Sequence, residues 1–388
     1  MTSNKLPKFT TIFVLLSSSA LTIMAGALIG PSLSLINQQF HNSELVAMLL
    51  TMPSLAVVVT APLAGKLMNS IAKKWLLVIA LALYGAAGST GLWMDSLQLL
   101  LLGRFILGVS VSLIMTVSST LISDLSSGYG TSKLLSYQAT AMNLGGVIFV
   151  GIGGYLAQLN WRMPFSIYLL AIVVLILAIF FIPDTNKTVE SHKVSVDSDT
   201  WKSIIPFYLL GFISMFLFYQ IPVMYSFIVT NVLNASPTQT GVTLALFSIA
   251  SAIASMQMAK LFRRYTEYQL IALAFINYSL GHLFIAIASN WPVMITGGVL
   301  TGVGLGIAFP TINKAISSRS DLNNRGILMS GFVSCYFLGQ FVSPIAVQLM
   351  RIDTLQSTFY ISSAGAFVLG ILTINFKQEI VNTQSQLG

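Results

Sequence analysis

Few side chains in these 388 residues can carry charge or move a proton, and their placement decides what chemistry is open to the chain. Arg104 stands inside a long apolar stretch, Leu102-Gly103-Arg104-Phe105-Ile106-Leu107-Gly108. A guanidinium stays charged at biological pH and presents a rigid fork of N–H donors, so at membrane depth it suits recognition of negative charge. The eleven carboxylates all lie in loops or near the ends of apolar stretches. Glu44 opens one stretch and Asp124 closes another, and of the titrating groups Glu44 is the leading candidate for proton coupling. His41 lies beside it. His282 falls within an apolar stretch and reads as a packing residue, although histidine titrates near neutrality. Gln138, Asn143, Tyr219, Gln220, Tyr225, Gln257, Asn313, Tyr336 and Gln340 are neutral polar groups at similar depth. Such groups, set among apolar walls, are what a small-molecule site needs.

Other chemistry is excluded. The one cysteine, Cys335, leaves no intramolecular disulfide and no cysteine metal site. There is no phosphate-binding glycine loop, no His/Cys metal spacing and no nucleophile with a base at recognisable distance. The chain therefore reads as neither an enzyme nor a holder of a metal or cofactor, and ATP-driven transport is disfavoured on the same ground.

The elements that position these groups are long and apolar. The chain is 55% hydrophobic and 8% charged, which no soluble domain of this size would tolerate. A helix needs about 20 apolar residues to cross a bilayer. Twelve stretches qualify, at roughly 9–36, 45–65, 75–94, 97–122, 134–158, 163–182, 204–231, 239–259, 269–289, 291–313, 326–350 and 357–376. They lack strand-type alternation, so they are expected to be helices, the form that satisfies every backbone group in lipid. Residues 5–27 mimic a signal peptide, but the apolar run continues to near Ile36 and reads as the first span.

The net charge of +8 follows membrane orientation rather than a nucleic-acid partner. With the N-terminus in the cytoplasm, sixteen of the nineteen Lys and Arg fall on that side; Arg162 and Arg351 fall outside and Arg104 within a span. This bias places both termini in the cytoplasm. The one long polar interruption, 183–203, follows six spans and precedes six, and reads as a solvated linker between bundles at 1–182 and 204–388. Lys66-Leu67 and Lys260-Leu261, Gly108 and Gly302, Leu144-Gly145 and Leu338-Gly339, and Phe165 and Phe359 all stand 194 residues apart. A constant offset across loops and helices marks an internal repeat, the design of transporters that rock about a central site.

Several segments carry a family resemblance. The loop Gly65-Lys66-Leu67-Met68-Asn69-Ser70-Ile71-Ala72-Lys73-Lys74 resembles the cytoplasmic signature of the major facilitator superfamily. Asn69 replaces that signature's aspartate and Ala72 its second glycine, while Gly65, Lys73 and Lys74 are kept. The resemblance implies a gating latch, and losing the aspartate removes a charge-assisted contact from it. Asp124 is placed to pair with Lys73 or Lys74. Arg104 and Gly108 resemble the family's Arg-x-x-x-Gly element, and the helical face of Arg104, Gly108, Val111 and Met115 is expected to turn the guanidinium toward a central cavity. Gly145, Gly153 and Gly154 resemble part of the antiporter element of the drug-efflux branch, with Phe149 and Val150 where that element has Gly-Pro. Physically, such small residues let helices approach closely. Trp161-Arg162-x-x-Phe165 and Ile182-Pro183-Asp184 resemble drug-efflux members at the matching places.

The expectation is an all-α membrane protein with twelve transmembrane helices in two pseudo-symmetric six-helix bundles. It is a monomer in the cell (inner) membrane whose partners are a small-molecule substrate, protons and the lipid bilayer. It would export a small polar, anionic or zwitterionic compound, a drug or a siderophore-like metabolite, by alternating access. A cation would be repelled by Arg104. The alternatives are an importer or facilitator of the same fold and a non-transporting membrane sensor or assembly factor.

Overall fold

A computed structural model describes residues 7–126, 129–184, 197–233, 236–321, 324–350 and 355–386. Twelve helices long and apolar enough to cross a membrane occupy most of them, and no strand occurs among the described residues. They are α1 (Phe9–Phe40), α2 (Ser43–Ala64), α3 (Lys73–Leu92), α4 (Leu97–Leu125), α5 (Lys133–Leu159), α6 (Met163–Phe181), α7 (Ser198–Ile228), α8 (Pro237–Leu261), α9 (Glu267–Ala286), α10 (Trp291–Ser318), α11 (Ile327–Leu349) and α12 (Gln356–Ile374). The linker residues 185–196, with His192, lie outside the described residues, as does Arg351.

Polar caps mark where helices begin. Asn42 accepts from the Leu45 amide at 3.0 Å ahead of α2, and Asn290 from Val293 at 3.2 Å ahead of α10. Thr266 and Gln269 form a reciprocal capping box at the start of α9. Prolines interrupt the hydrogen-bond ladders within α2 (Pro53, Pro62), α7 (Pro206, Pro222), α10 (Pro310) and α11 (Pro344), and α1 tightens into a 3-10 turn at Gly30–Ser32.

The chain divides into two compact units, Met1–Lys193 with Ser236–Val242, and Val194–Ala235 with Thr243–Gly388. The expected division ended the first half at residue 182. The structure adds the opening turns of α8 to the first unit, because glycine lets them sit against α5. A Cβ on Gly154 would stand 2.7 Å from the Pro237 carbonyl oxygen and 3.0 Å from the Gly241 Cα. Thr238 adds a hydrogen bond to the Gly154 carbonyl at 3.3 Å.

Packing within each unit repeats the sequence offset. In the first, Gly108 of α4 presses on the Pro53 carbonyl and the Ala56 methyl; in the second, Gly302 of α10 presses on the Phe247 carbonyl and the Ala250 methyl. Gly103 meets the Ala87 carbonyl as Gly297 meets that of Gly281. Every one of these residue pairs is separated by 194, so the repeat is one of backbone contacts as well as of sequence. Helix α3 packs against α4 and α6 in one unit as α9 packs against α10 and α12 in the other.

Candidate functional site

In the first unit α4 carries Arg104 into the interior, where it is 1% exposed. One terminal nitrogen, Nη1, donates to the Ala25 carbonyl of α1 at 3.1 Å and to the Tyr168 hydroxyl of α6 at 2.8 Å. Tyr168 in turn donates to the Ala25 carbonyl at 2.9 Å, closing a three-membered polar ring. The guanidinium carbon lies 5.0 Å from the Phe165 ring centre and 4.9 Å from that of Tyr168. Aromatic faces stabilise a desolvated cation. The other terminal nitrogen, Nη2, is buried and has no hydrogen-bond partner. Among the described residues no carboxylate pairs with Arg104.

The box depends on two glycines of α3. A Cβ on Gly88 would lie 2.6 Å from the Tyr168 ring, and one on Gly91 would overlap the Phe165 ring. Tyr84 completes the group, with its ring 5.8 Å from that of Tyr168 and its hydroxyl bonded to the Leu21 carbonyl. The guanidinium is enclosed by aromatic rings and α1 backbone within its own unit, because that arrangement supplies acceptors and π-faces that an open wall would not.

Gln138 of α5 is buried and ties three helices, donating to Ser19 at 2.8 Å and to Ser119 at 3.2 Å. At the other end of α3 and α4, Lys73 is 6% exposed and pairs with Asp124, and Lys74 pairs with Asp184 at 3.1 Å. Lys73 and Asp124 thus meet as the sequence placed them. The surroundings of Gly65 and the side chain of Asn69 lie outside what the structure describes. Glu44 sits exposed in the first turn of α2, where a carboxylate is favoured by the helix dipole. Asn143 is exposed on α5. Gly145 packs on Ala20 and Gly153 on the Leu28 carbonyl, both of α1.

The second unit holds neutral polar nodes. Gln220 of α7 accepts from Ser362 of α12 at 2.9 Å, while its Nε2 is buried without a partner. The Tyr278 hydroxyl meets Ser214 at 2.8 Å. Both ring nitrogens of His282, which is 0% exposed, face carbonyl oxygens: Nδ1 stands 2.8 Å from Tyr278 and Nε2 3.1 Å from Leu217. Tyr225 packs edge-on to Phe247 at 5.2 Å, and Tyr336 stacks among Phe309 and Phe332 at 5.0 and 5.7 Å. Tyr219 is half-buried and Gln340 buried. Asn313 donates back to the Phe309 carbonyl of its own helix at 2.8 Å, and Gln257 lies exposed where α8 bends. Arg319 pairs with Glu267 at 2.8 Å, braced by the Phe207 ring at 4.5 Å. Sequence reading passed over this pair and the glycines beneath the aromatic box; the match of residues 73 and 267 at the repeat offset was the signal that could have found the pair.

The family model described as Major Facilitator Superfamily matches residues 15–229 and again 207–381. The chain belongs to the Major Facilitator Superfamily. Among curated members it is 24% identical to the Quinolone resistance protein NorA of Staphylococcus aureus over 337 residues, covering 84% of this chain and 85% of that protein. It is 22% identical to Multidrug resistance protein 1 of Bacillus subtilis (strain 168), covering 95% and 96%. Solved structures share the fold. A D-xylose-proton symporter gives a TM-score of 0.75 at 16% identity, covering 94% of this chain and 97% of the other. The human organic anion transporter MFSD10 (TETRAN) gives 0.68 at 18% identity, covering 94% and 97%. The chain is a multi-pass transporter of the cell membrane that resembles the superfamily's drug-efflux branch.

Proposed function

We propose that this member of the superfamily exports a small polar compound carrying negative charge, anionic or zwitterionic, by alternating access coupled to protons, with both termini in the cytoplasm. The carrying observation is Arg104: a permanent cation, enclosed, with no carboxylate paired to it among the described residues and both N–H groups of Nη2 unpartnered. A unit charge about 8 Å away feels roughly 2 kcal/mol at an effective dielectric near 20. That field favours a carboxylate or sulfonate and disfavours a lipophilic cation. The relatives' resistance names support outward movement of drug-like compounds.

Everted membrane vesicles energised by a proton gradient test the reading with two probes, a fluorescein-type dianion and ethidium. Accumulation of the dianion is expected, and its loss on collapsing the gradient. Accumulation of ethidium without the dianion contradicts the charge preference.

A further inference from the structure

The two nitrogens of His282 set a constraint that the packing around it does not remove. A neutral imidazole carries one N–H, and its other nitrogen offers only a lone pair. Nδ1 and Nε2 both face carbonyl oxygens, of Tyr278 and Leu217, within hydrogen-bond distance. In the neutral ring one of these contacts therefore sets lone pair against lone pair. Only the imidazolium donates to both.

We propose that His282 is a proton-binding site of the transport cycle, its second proton tying α9 to α7. The inference rests on the exporter reading for its place in the cycle, though not for the proton site itself. Uptake adds one proton from the aqueous phase to the lone-pair nitrogen; release returns it to water and breaks one of the two carbonyl contacts. Leu217 stands five residues before Pro222, which has no N–H to donate to the Phe218 carbonyl, so the contact made or lost lies beside a gap in the hydrogen-bond ladder of α7. The neighbourhood leaves His282 as the group that can change charge there. On α9 the titratable neighbour is Tyr278, whose hydroxyl meets Ser214, and Glu267 and Tyr268 lie about 20 Å away at the helix start. Helix α7 contributes Tyr208, Tyr219 and Tyr225, with Asp199 and Lys202 at its first turns; α10 contributes Lys314 and Arg319 at its last turns. Helix α12 carries Tyr360, which is exposed, and no charged residue over 356–374; its Phe359 ring lies 5.5 Å from the imidazole.

The full chain, labelled with 15N-histidine and held in lipid nanodiscs, reports the protonation of each of its three histidines by NMR. His282→Gln, with His282→Asn as a second variant, assigns the signal. As pH falls from about 8 to about 3.5, the His282 ring is expected to pass from one N–H to two. In proteoliposomes, flux of the fluorescein-type dianion should vary with pH by up to about tenfold per unit, the limit for one proton, and should flatten to under about twofold in His282→Gln. A ring that keeps one N–H throughout overturns the proposal, as does a His282→Gln profile that tracks the wild type. Should the ring gain its second N–H while the dianion never moves, the proton site stands and the exporter reading falls. Where both variants fail to fold, the titration of the wild-type ring alone decides.

Discussion

The two units solve one packing problem with opposite chemistry. Tyr84, Gly88, Phe165 and Tyr168 of the first correspond, 194 residues on, to Tyr278, His282, Phe359 and Ser362 of the second. The tyrosines at 84 and 278 and the phenylalanines at 165 and 359 are kept. Between them the large and small members are exchanged: glycine and tyrosine in the first, histidine and serine in the second. Arg104 corresponds to Gly298, and the space above Gly298 is taken by the ring of Phe247, whose own counterpart is Pro53. The polarity of the end contacts is exchanged as well. Lys73 pairs with Asp124 in the first unit, whereas its counterpart Glu267 pairs with Arg319 in the second. A shared set of backbone contacts therefore carries a fixed cation in one half and a titratable base in the other. The lesson is that the glycine contacts specify the fold, and the volumes set upon them specify the chemistry.

The largest expected effect comes from removing the fixed cation. Arg104→Ala should cut dianion transport in vesicles by about a hundredfold or more, while membrane insertion and monodispersity persist, because Tyr168 keeps its bond to Ala25. Arg104→Lys should rescue little, since an ammonium lacks the planar guanidinium that lies over the Phe165 and Tyr168 rings. Wild-type flux from Arg104→Ala would mean that the two units do not differ in function at this position.

Next come the volumes. Gly88→Val and Gly298→Val each drive a side chain into a ring, of Tyr168 and Phe247 respectively, and should cost about 1–3 kcal/mol by thermal unfolding in detergent. Trimming the opposing ring, Phe247→Ala with Gly298→Val, should recover part of the loss in the second unit. No recovery would show that the exchange is not one of volume.

The charge-reversed pairs give a smaller effect. Lys73→Glu alone should cost about 1 kcal/mol, since the Asp124 carboxylate is 40% exposed and water screens the pair. Lys73→Glu with Asp124→Lys should restore stability, because the second unit already uses that polarity. The smallest effect concerns the start of α7. The Thr200 hydroxyl and amide hold the exposed Asp197 carboxyl below the usual carboxylate range. Its folded value is depressed, so its contribution is present above the ordinary carboxylate range, near about pH 4, and fades as pH falls through the lower folded value. Asp197→Asn should flatten that acid dependence and leave unfolding at neutral pH nearly unchanged.

The helices were legible because a bilayer demands length and apolarity, and both are local properties of sequence. The repeat was legible because Gly108 and Gly302, buried against backbone, tolerate no other side chain at that spacing. Lys73 and Asp124 could be paired because each sits at a helix end beside a short loop. Arg104 was readable as an intramembrane charge, but its enclosure was not. The faces that close over it come from Ala25 and from Phe165 and Tyr168, more than sixty residues away in either direction, and the rings reach it only because Gly88 and Gly91 leave room. The second acceptor of His282 was not legible, because it is a main-chain oxygen, of Leu217, which no residue identity announces.

The ring of Phe247 over Gly298 constrains how such a molecule can be re-engineered or can drift. A single substitution giving the later half its own arginine would thrust a long side chain into an occupied space. Transplanting the ion requires two coordinated replacements, at 298 and 247, and one step alone is a penalty with no gain. Ancestral symmetry, once broken in this way, is therefore locked against casual reversal.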